Sequence, residues 1–138
     1  MSDYSTFFRP ASRPESAEEL VAGATGCIDA FTERFNDRDL AGMDALLHFP
    51  HVMYSAEELL VWERPGQLPS DFFDKLASTG WAKSVYESRT PVLVSPNKAH
   101  FLVHYTRRRA DESVISRHEN LWIVIKARGT WRIALRSY

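Results

Sequence analysis

Between Ser16 and Asp37 the apolar positions fall at helical spacing. Leu20, Ala24, Cys27, Ile28, Phe31 and Phe35 make one stripe, and Glu18, Asp29, Glu33, Arg34 and Asp37 occupy the other side. Ser16, followed three positions later by Glu19, forms a capping box, so a helix is predicted to open there. Asp39 has the side chain to cap a second, short helix whose Leu40, Met43, Leu46 and Leu47 face inward, with Pro50 expected to stop it. The two helices are expected to form a hairpin-like lid.

Beyond Pro50 the period shortens. His51–Ser55 and Leu59–Glu63 are β-prone runs separated by Ala-Glu-Glu, which predicts a hairpin. The segment from Pro65 to Thr79 reads as a third helix, with Leu68, Phe72, Phe73 and Leu76 apolar and Gly80 at its end. From Trp81 onward the pattern is β: strands are predicted at 81–94, 98–109, 114–127 and 130–137, divided by Ser-Pro-Asn, Ala-Asp-Glu-Ser and Arg-Gly-Thr turns. The fold class is α+β, with three N-terminal helices on a strongly curved, mostly antiparallel sheet.

Alternation sorts the strand residues into faces. Phe101, Val103 and Tyr105 oppose His100, Leu102, His104 and Thr106; Leu121, Ile123 and Ile125 oppose Val114, His118, Asn120, Trp122 and Val124. Both faces carry apolar residues, so the sheet needs two covers. The helices supply one, and a second copy of the chain is expected on the outer face, giving a homodimer.

With 138 residues, 44% of them hydrophobic, the chain has material for one domain and not for two. The expected division is a flexible lead-in over 1–15 and a single domain over 16–138. One cysteine, Cys27, excludes an internal disulfide framework and a Cys-based zinc site; it reads as a small buried hydrophobe. A net charge of −1 argues against nucleic acid as a partner. The charge is unevenly shared, however: residues 1–69 hold twelve acidic and five basic side chains, and residues 70–138 hold six and twelve. This split suits two attracting faces of one domain or complementary surfaces in an assembly. No apolar run approaches the roughly 20 residues of a membrane span. The opening Met-Ser-Asp-Tyr-Ser-Thr-Phe-Phe-Arg-Pro has no basic region ahead of an apolar one, so a cytoplasmic protein without membrane contact is expected.

Phe35-Asn-Asp-Arg-Asp-Leu40 leading into Leu46-Leu-His-Phe-Pro-His51 and a strand, with the closing Gly129-Thr-Trp131-Arg-Ile segment, resembles the nuclear transport factor 2-like superfamily, which includes the SnoaL-like and ketosteroid-isomerase-like proteins. The resemblance runs from about Ser16 to Tyr138. It implies a cystatin-like cone, a curved sheet wrapped round a long helix with an apolar pocket at the open end. It also implies, for the isomerase-like members, a carboxylate base near Ser55 and a second acid near Thr106. Neither position holds a carboxylate, and the run His51–Ser55 has none, so that enolisation set is incomplete.

Histidine is the remaining candidate base, since its ordinary pKa lies near neutrality. His104 and His118 are expected on the concave face with Thr106 and Asn120, and His51, Met53 and Ser55 are expected to point the same way, with Trp122 as a pocket wall. The alternative for each histidine is a half-buried ring satisfied by backbone or water. His48-x-x-His51 lacks a third ligand at helpful spacing and reads as a helix-to-strand corner, with His48 capping the helix, so no metal is assigned. No cofactor is called for. Arg107-Arg108-Arg109 reads as a solvated strand end. Arg136 is placed near the pocket mouth, to meet an anionic ligand or to pair with Glu119 or Asp74. The expected role is binding of a small, mostly apolar ligand. The alternatives are an isomerase, dehydratase or cyclase-like enzyme using His104 or His118, and a protein-binding adaptor.

Overall fold

The structure is a computed structural model that describes residues 15–138. The lead-in expected over 1–15 lies outside the described residues except for Glu15, which pairs with Lys126. Helix α1 spans Ala17–Asn36 and starts where the cap placed it: Ser16 accepts a hydrogen bond from the Glu19 amide at 3.1 Å. Helix α2, Leu40–Asp44, is capped by Asp39, which accepts from the Gly42 amide at 2.9 Å. Strands β1 (Leu47–Ser55) and β2 (Glu58–Trp62) form the hairpin, turning through Ala56 and Glu57 at φ of 51° and 67°. Helix α3 is Phe72–Ala77, and β3 (Lys83–Ser95), β4 (Lys98–Arg108), β5 (Val114–Ala127) and β6 (Thr130–Ser137) form the meander.

Three local expectations are corrected. Pro50 does not stop α2; it lies within β1, where the register against β6 skips between Leu47 and Val52, a place that tolerates a missing amide donor. His48 is therefore a strand residue and caps no helix. The third helix is shorter than Pro65–Thr79, because Pro65, Gly66 at φ 84° and Pro69 keep the segment before it in turns.

The six strands form one curved sheet in the order β2-β1-β6-β5-β4-β3, antiparallel throughout except for the β1–β6 pair. Helix α1 lies across the concave face. Its stripe is buried as the spacing predicts: Leu20, Ala24, Cys27, Ile28 and Phe31 all face the sheet. Ala24 and Ile28 meet a layer of Ala99, Phe101, Val103, Val124 and Ile133, none of which exposes any surface. Gly23 lets the helix come close there, since a Cβ at that position would collide with the Trp131 indole. At its other end α1 is tied down by polar bonds. Asn36 bonds both the amide and the carbonyl of Ser84 at 2.9 Å, and Asp29 pairs with Arg89. Phe35, Phe73 and Trp81 form an aromatic cluster beside α3, with ring centroids 5.1–5.8 Å apart.

Candidate functional site

Where α1 passes from Ile28 to Phe35, the helix stands off the sheet except where Tyr86 of β3 reaches back to Thr32 and Ile28 and where Phe31 meets Trp122. A cavity of about 340 Å³ opens between them. Phe31, Thr32 and Phe35 of α1 form one wall, and Leu68 and Phe72 close it beside α3. Met53, Ser55, Leu60 and Trp62 come from the β1–β2 hairpin, Ser84 and Tyr86 from β3, Tyr105 and Arg107 from β4, Trp122 from β5, and Arg136 and Tyr138 from the end of the chain. Leu60, 37% exposed, stands at its edge.

Few polar groups line this wall, and Arg136 is held on two sides. Arg136 is only 5% exposed. Its Nε donates to His51 Nε2 at 3.1 Å, and its Nη1 donates to the Tyr138 hydroxyl at 3.1 Å. Four rings surround the guanidinium, with Cζ 5.0 Å from Phe31, 5.7 Å from Trp62, 5.9 Å from Trp122 and 5.7 Å from Tyr138. Cation–π attraction offsets part of what burying the charge costs. His51 lies behind Arg136, fully buried and stacked on Trp62 at 5.4 Å. Its Nδ1 bonds the Ile133 carbonyl at 3.0 Å. A ring that accepts at Nε2 must donate at Nδ1, so the neutral tautomer is fixed. Burial first, and then the Arg136 charge, push its pKa down to about 3.

The tyrosines are held as neutral phenols. Tyr86 accepts from Thr32 and donates to the Ile28 carbonyl at 3.1 Å, and burial raises its pKa. Burial also raises that of Tyr105. Cys27, away from the cavity, is buried, and desolvation lifts its thiol to about 11, which leaves it inert.

Of the residues singled out in the sequence, Met53, Ser55 and Trp122 line the cavity. His51 sits behind the lining as the acceptor for Arg136. His118 and Asn120 are on the concave face, paired across the strands with Tyr105 and Val103, but outside the lining. His118 stacks on Tyr105 at 4.8 Å and bonds Ser116 at 2.8 Å; burial and then the Arg107 charge lower its pKa. His104 and Thr106 do not share that face. Cross-strand partners point the same way, and these two pair with Glu119 and Arg117 on the outer side. His104 lies 3.8 Å from Glu119, and Thr106 accepts from Arg108 at 2.9 Å. Arg107 was read as part of a solvated strand end and instead lines the cavity. Arg136 was placed at the mouth with Glu119 or Asp74 as partners; it lies inside and pairs with neither. Among the described residues no three His, Cys, Asp or Glu side chains gather as a metal group, and no helix is long and apolar enough to cross a membrane.

A long helix laid in a bent sheet, with a hollow left at one end, defines a cone of the cystatin-like, nuclear transport factor 2 type. The chain belongs to the NTF2-like protein family DUF6841, whose model matches residues 24–136. No curated protein matches the sequence. Similar solved structures include a ketosteroid isomerase-like protein from Erwinia carotovora atroseptica, with a TM-score of 0.65 and 20% identity over 88% of this chain and 95% of that one. A protein of unknown function with a cystatin-like fold from Nostoc punctiforme aligns with a TM-score of 0.68 and 12% identity, over 91% and 92% of the two chains. An uncharacterised cystatin-like protein from Caulobacter vibrioides gives 0.61 and 12%, over 86% and 87%. Identities this low carry the fold and no activity.

Proposed function

We propose that this protein binds a small, mostly apolar molecule in the open end of its cone. The observation that carries the reading is the cavity of about 340 Å³, walled by Phe31, Phe35, Met53, Leu60, Phe72 and Trp122. A concave, mostly apolar space with a few placed polar groups is the usual form of a ligand site. The same lining favours binding over proton transfer. Among the described residues no Asp or Glu lines the cavity, and His51 is held neutral with both ring nitrogens engaged. Thermal unfolding with a panel of steroids, polyketide-like phenols and aromatic acids tests the reading. A ligand that stabilises the folded chain raises the midpoint with concentration, by roughly 2.7 kcal/mol of stability at a hundred times its Kd. Trp62 and Trp122, both in the wall, should report the same event by fluorescence. A panel that moves neither signal overturns the proposal.

The proposal extends to a second copy of the chain on the outer sheet face. There Leu102 and Leu121 pair across the strands beside Ile123 and Ile125, all only half-buried in the single chain. Light scattering at micromolar concentration should give twice the mass of one chain; the mass of a monomer overturns this part.

A further inference from the structure

Resting on the cavity reading above, we infer that the bound molecule is an anion: a small aromatic or acyl body ending in a carboxylate, which the guanidinium of Arg136 receives. Arg136 carries a permanent charge and is 5% exposed. Both of its protein partners, His51 and the Tyr138 hydroxyl, are neutral. Among the described residues no carboxylate lies within ion-pair distance of it, and no Asp or Glu lines the cavity. A buried charge without a counterion is expensive, on the order of several kcal/mol, and nothing in the packing of the cone requires one. The guanidinium has five N–H donors. Its two protein bonds use two of them, and the others find no acceptor among the described residues.

A second observation points the same way. Trp122 Nε1 and Arg107 Nε belong to residues of the same wall, and both are buried donors without a partner. The unmatched polar atoms of this wall are all donors, and two of the side chains are cationic. A wall of that character favours a guest with acceptors and negative charge over one with donors. A planar carboxylate matches the fork of a guanidinium edge to edge. A doubly charged phosphate would bring a larger desolvation penalty into walls of Phe31, Phe35, Met53 and Phe72. The volume of about 340 Å³ is near the lower end for ligand cavities, which suits one or two rings or a short chain.

His51 is the positioning residue of this arrangement. Its Nδ1–H is spent on Ile133, so the Nε2 lone pair faces Arg136 and fixes the guanidinium without cancelling its charge. A carboxylate there would form an internal ion pair and close the subsite.

Calorimetric titration with matched pairs tests the inference: 2-naphthoate against 2-naphthamide, and octanoate against octanamide. At least one acid is expected to bind about tenfold or more tightly than its amide. Arg136→Met should erase that preference while amide binding persists, and Arg136→Lys, which keeps the charge and loses the fork, should recover part of it. Equal affinity of acids and amides for the unmodified protein overturns the anion inference and leaves the cavity reading standing. No heat and no thermal shift from any acid or amide overturns both. The acid-to-amide ratio on the unmodified protein decides the matter even where a variant fails to fold.

Discussion

The same helix and the same sheet make two different interiors. At the end of the cone near Ala24 and Ile28, the layer of Ala99, Phe101, Val103, Val124 and Ile133 is fully excluded from water and has no ionisable member. Around Phe31 and Phe35 the interior holds Arg136, Arg107, His51, Tyr86 and Tyr105 and leaves about 340 Å³ unfilled. Small and aliphatic residues at Gly23, Ala24 and Ile28 let α1 settle onto the sheet. Large rings at Phe35 and Trp122 meet Phe31 at an angle and, with Trp62, line a gap that they do not fill. Close packing contributes stability in proportion to what it excludes from water. A hollow holding a charge without a counterion contributes less.

The sharpest way to break this contrast is to cut into each interior in turn. Phe101→Ala, in the closed end, should lower stability by about 3–5 kcal/mol in denaturant unfolding, since nothing nearby can collapse into the space. Arg136→Met, in the hollow end, should cost clearly less, about 1–2 kcal/mol, because the removal of a buried charge offsets part of the loss of its bonds to His51 and Tyr138. A large loss from Arg136→Met, comparable with that from Phe101→Ala, would mean that the guanidinium is a structural strut and that the two ends are alike.

The closed end was also the part that local patterns disclosed. The Ser16 cap, the stripe from Leu20 to Phe31 and the four meander strands stand where periodicity and turn residues put them, because each signal is complete within a few neighbouring residues. The hollow end was hidden by interruptions of that periodicity. Counting by twos from Ile133 turns Leu135 inward and Arg136 outward. In the sheet Ile133 pairs with Val124 and Leu135 with Ile123, so Ala134 is an extra residue on β6, and the bulge reverses the parity for Arg136. His104 failed for a different reason. Its own strand was sorted correctly into faces, but nothing local said which face of β4 matched which face of β5. The pairing of Val103 with Asn120 and of Tyr105 with His118 settles it. Pattern predicted the elements and a curved sheet, and the family resemblance implied the cone. Which polar groups it aims inward depends on long-range register.

Acid sharpens the contrast at an intermediate scale. His51 has its pKa lowered from 6.5 to about 3 inside the cone, by burial and by Arg136, with His48 adding a little. The unfolded chain takes up a proton near 6.5 that the folded chain refuses until about 3, so this contribution to stability is complete above 6.5 and is lost as the pH falls below it. Between about pH 7.5 and pH 5 the loss should be about 2 kcal/mol. His100 and His118 shift in the same direction, so the measurement is a difference, the pH dependence of unfolding in the protein minus that in His51→Gln. The His51 ring signals in an NMR titration should stay in the neutral form down to about pH 4. Titration near 6.5 would show that water reaches behind Arg136 and that the hollow extends further than its walls suggest.

The smallest effect is expected at the boundary between the two interiors, where Tyr86 hands a hydrogen bond back to α1. Its hydroxyl accepts from Thr32 and donates to the carbonyl of Ile28, one turn earlier in the helix. Tyr86→Phe removes both bonds at once, and two stranded buried groups would cost about 2–3 kcal/mol or more. Thr32, however, stands four residues after Ile28 and can turn its own hydroxyl onto that carbonyl, as threonines in helices do. The Ile28 carbonyl then keeps a donor, and the lost phenol oxygen faces a cavity rather than a packed layer. The net loss should be about 1 kcal/mol in denaturant unfolding. A loss well above that would show that Thr32 cannot rotate and that the closed interior reaches one turn further along α1, leaving a smaller hollow for a ligand.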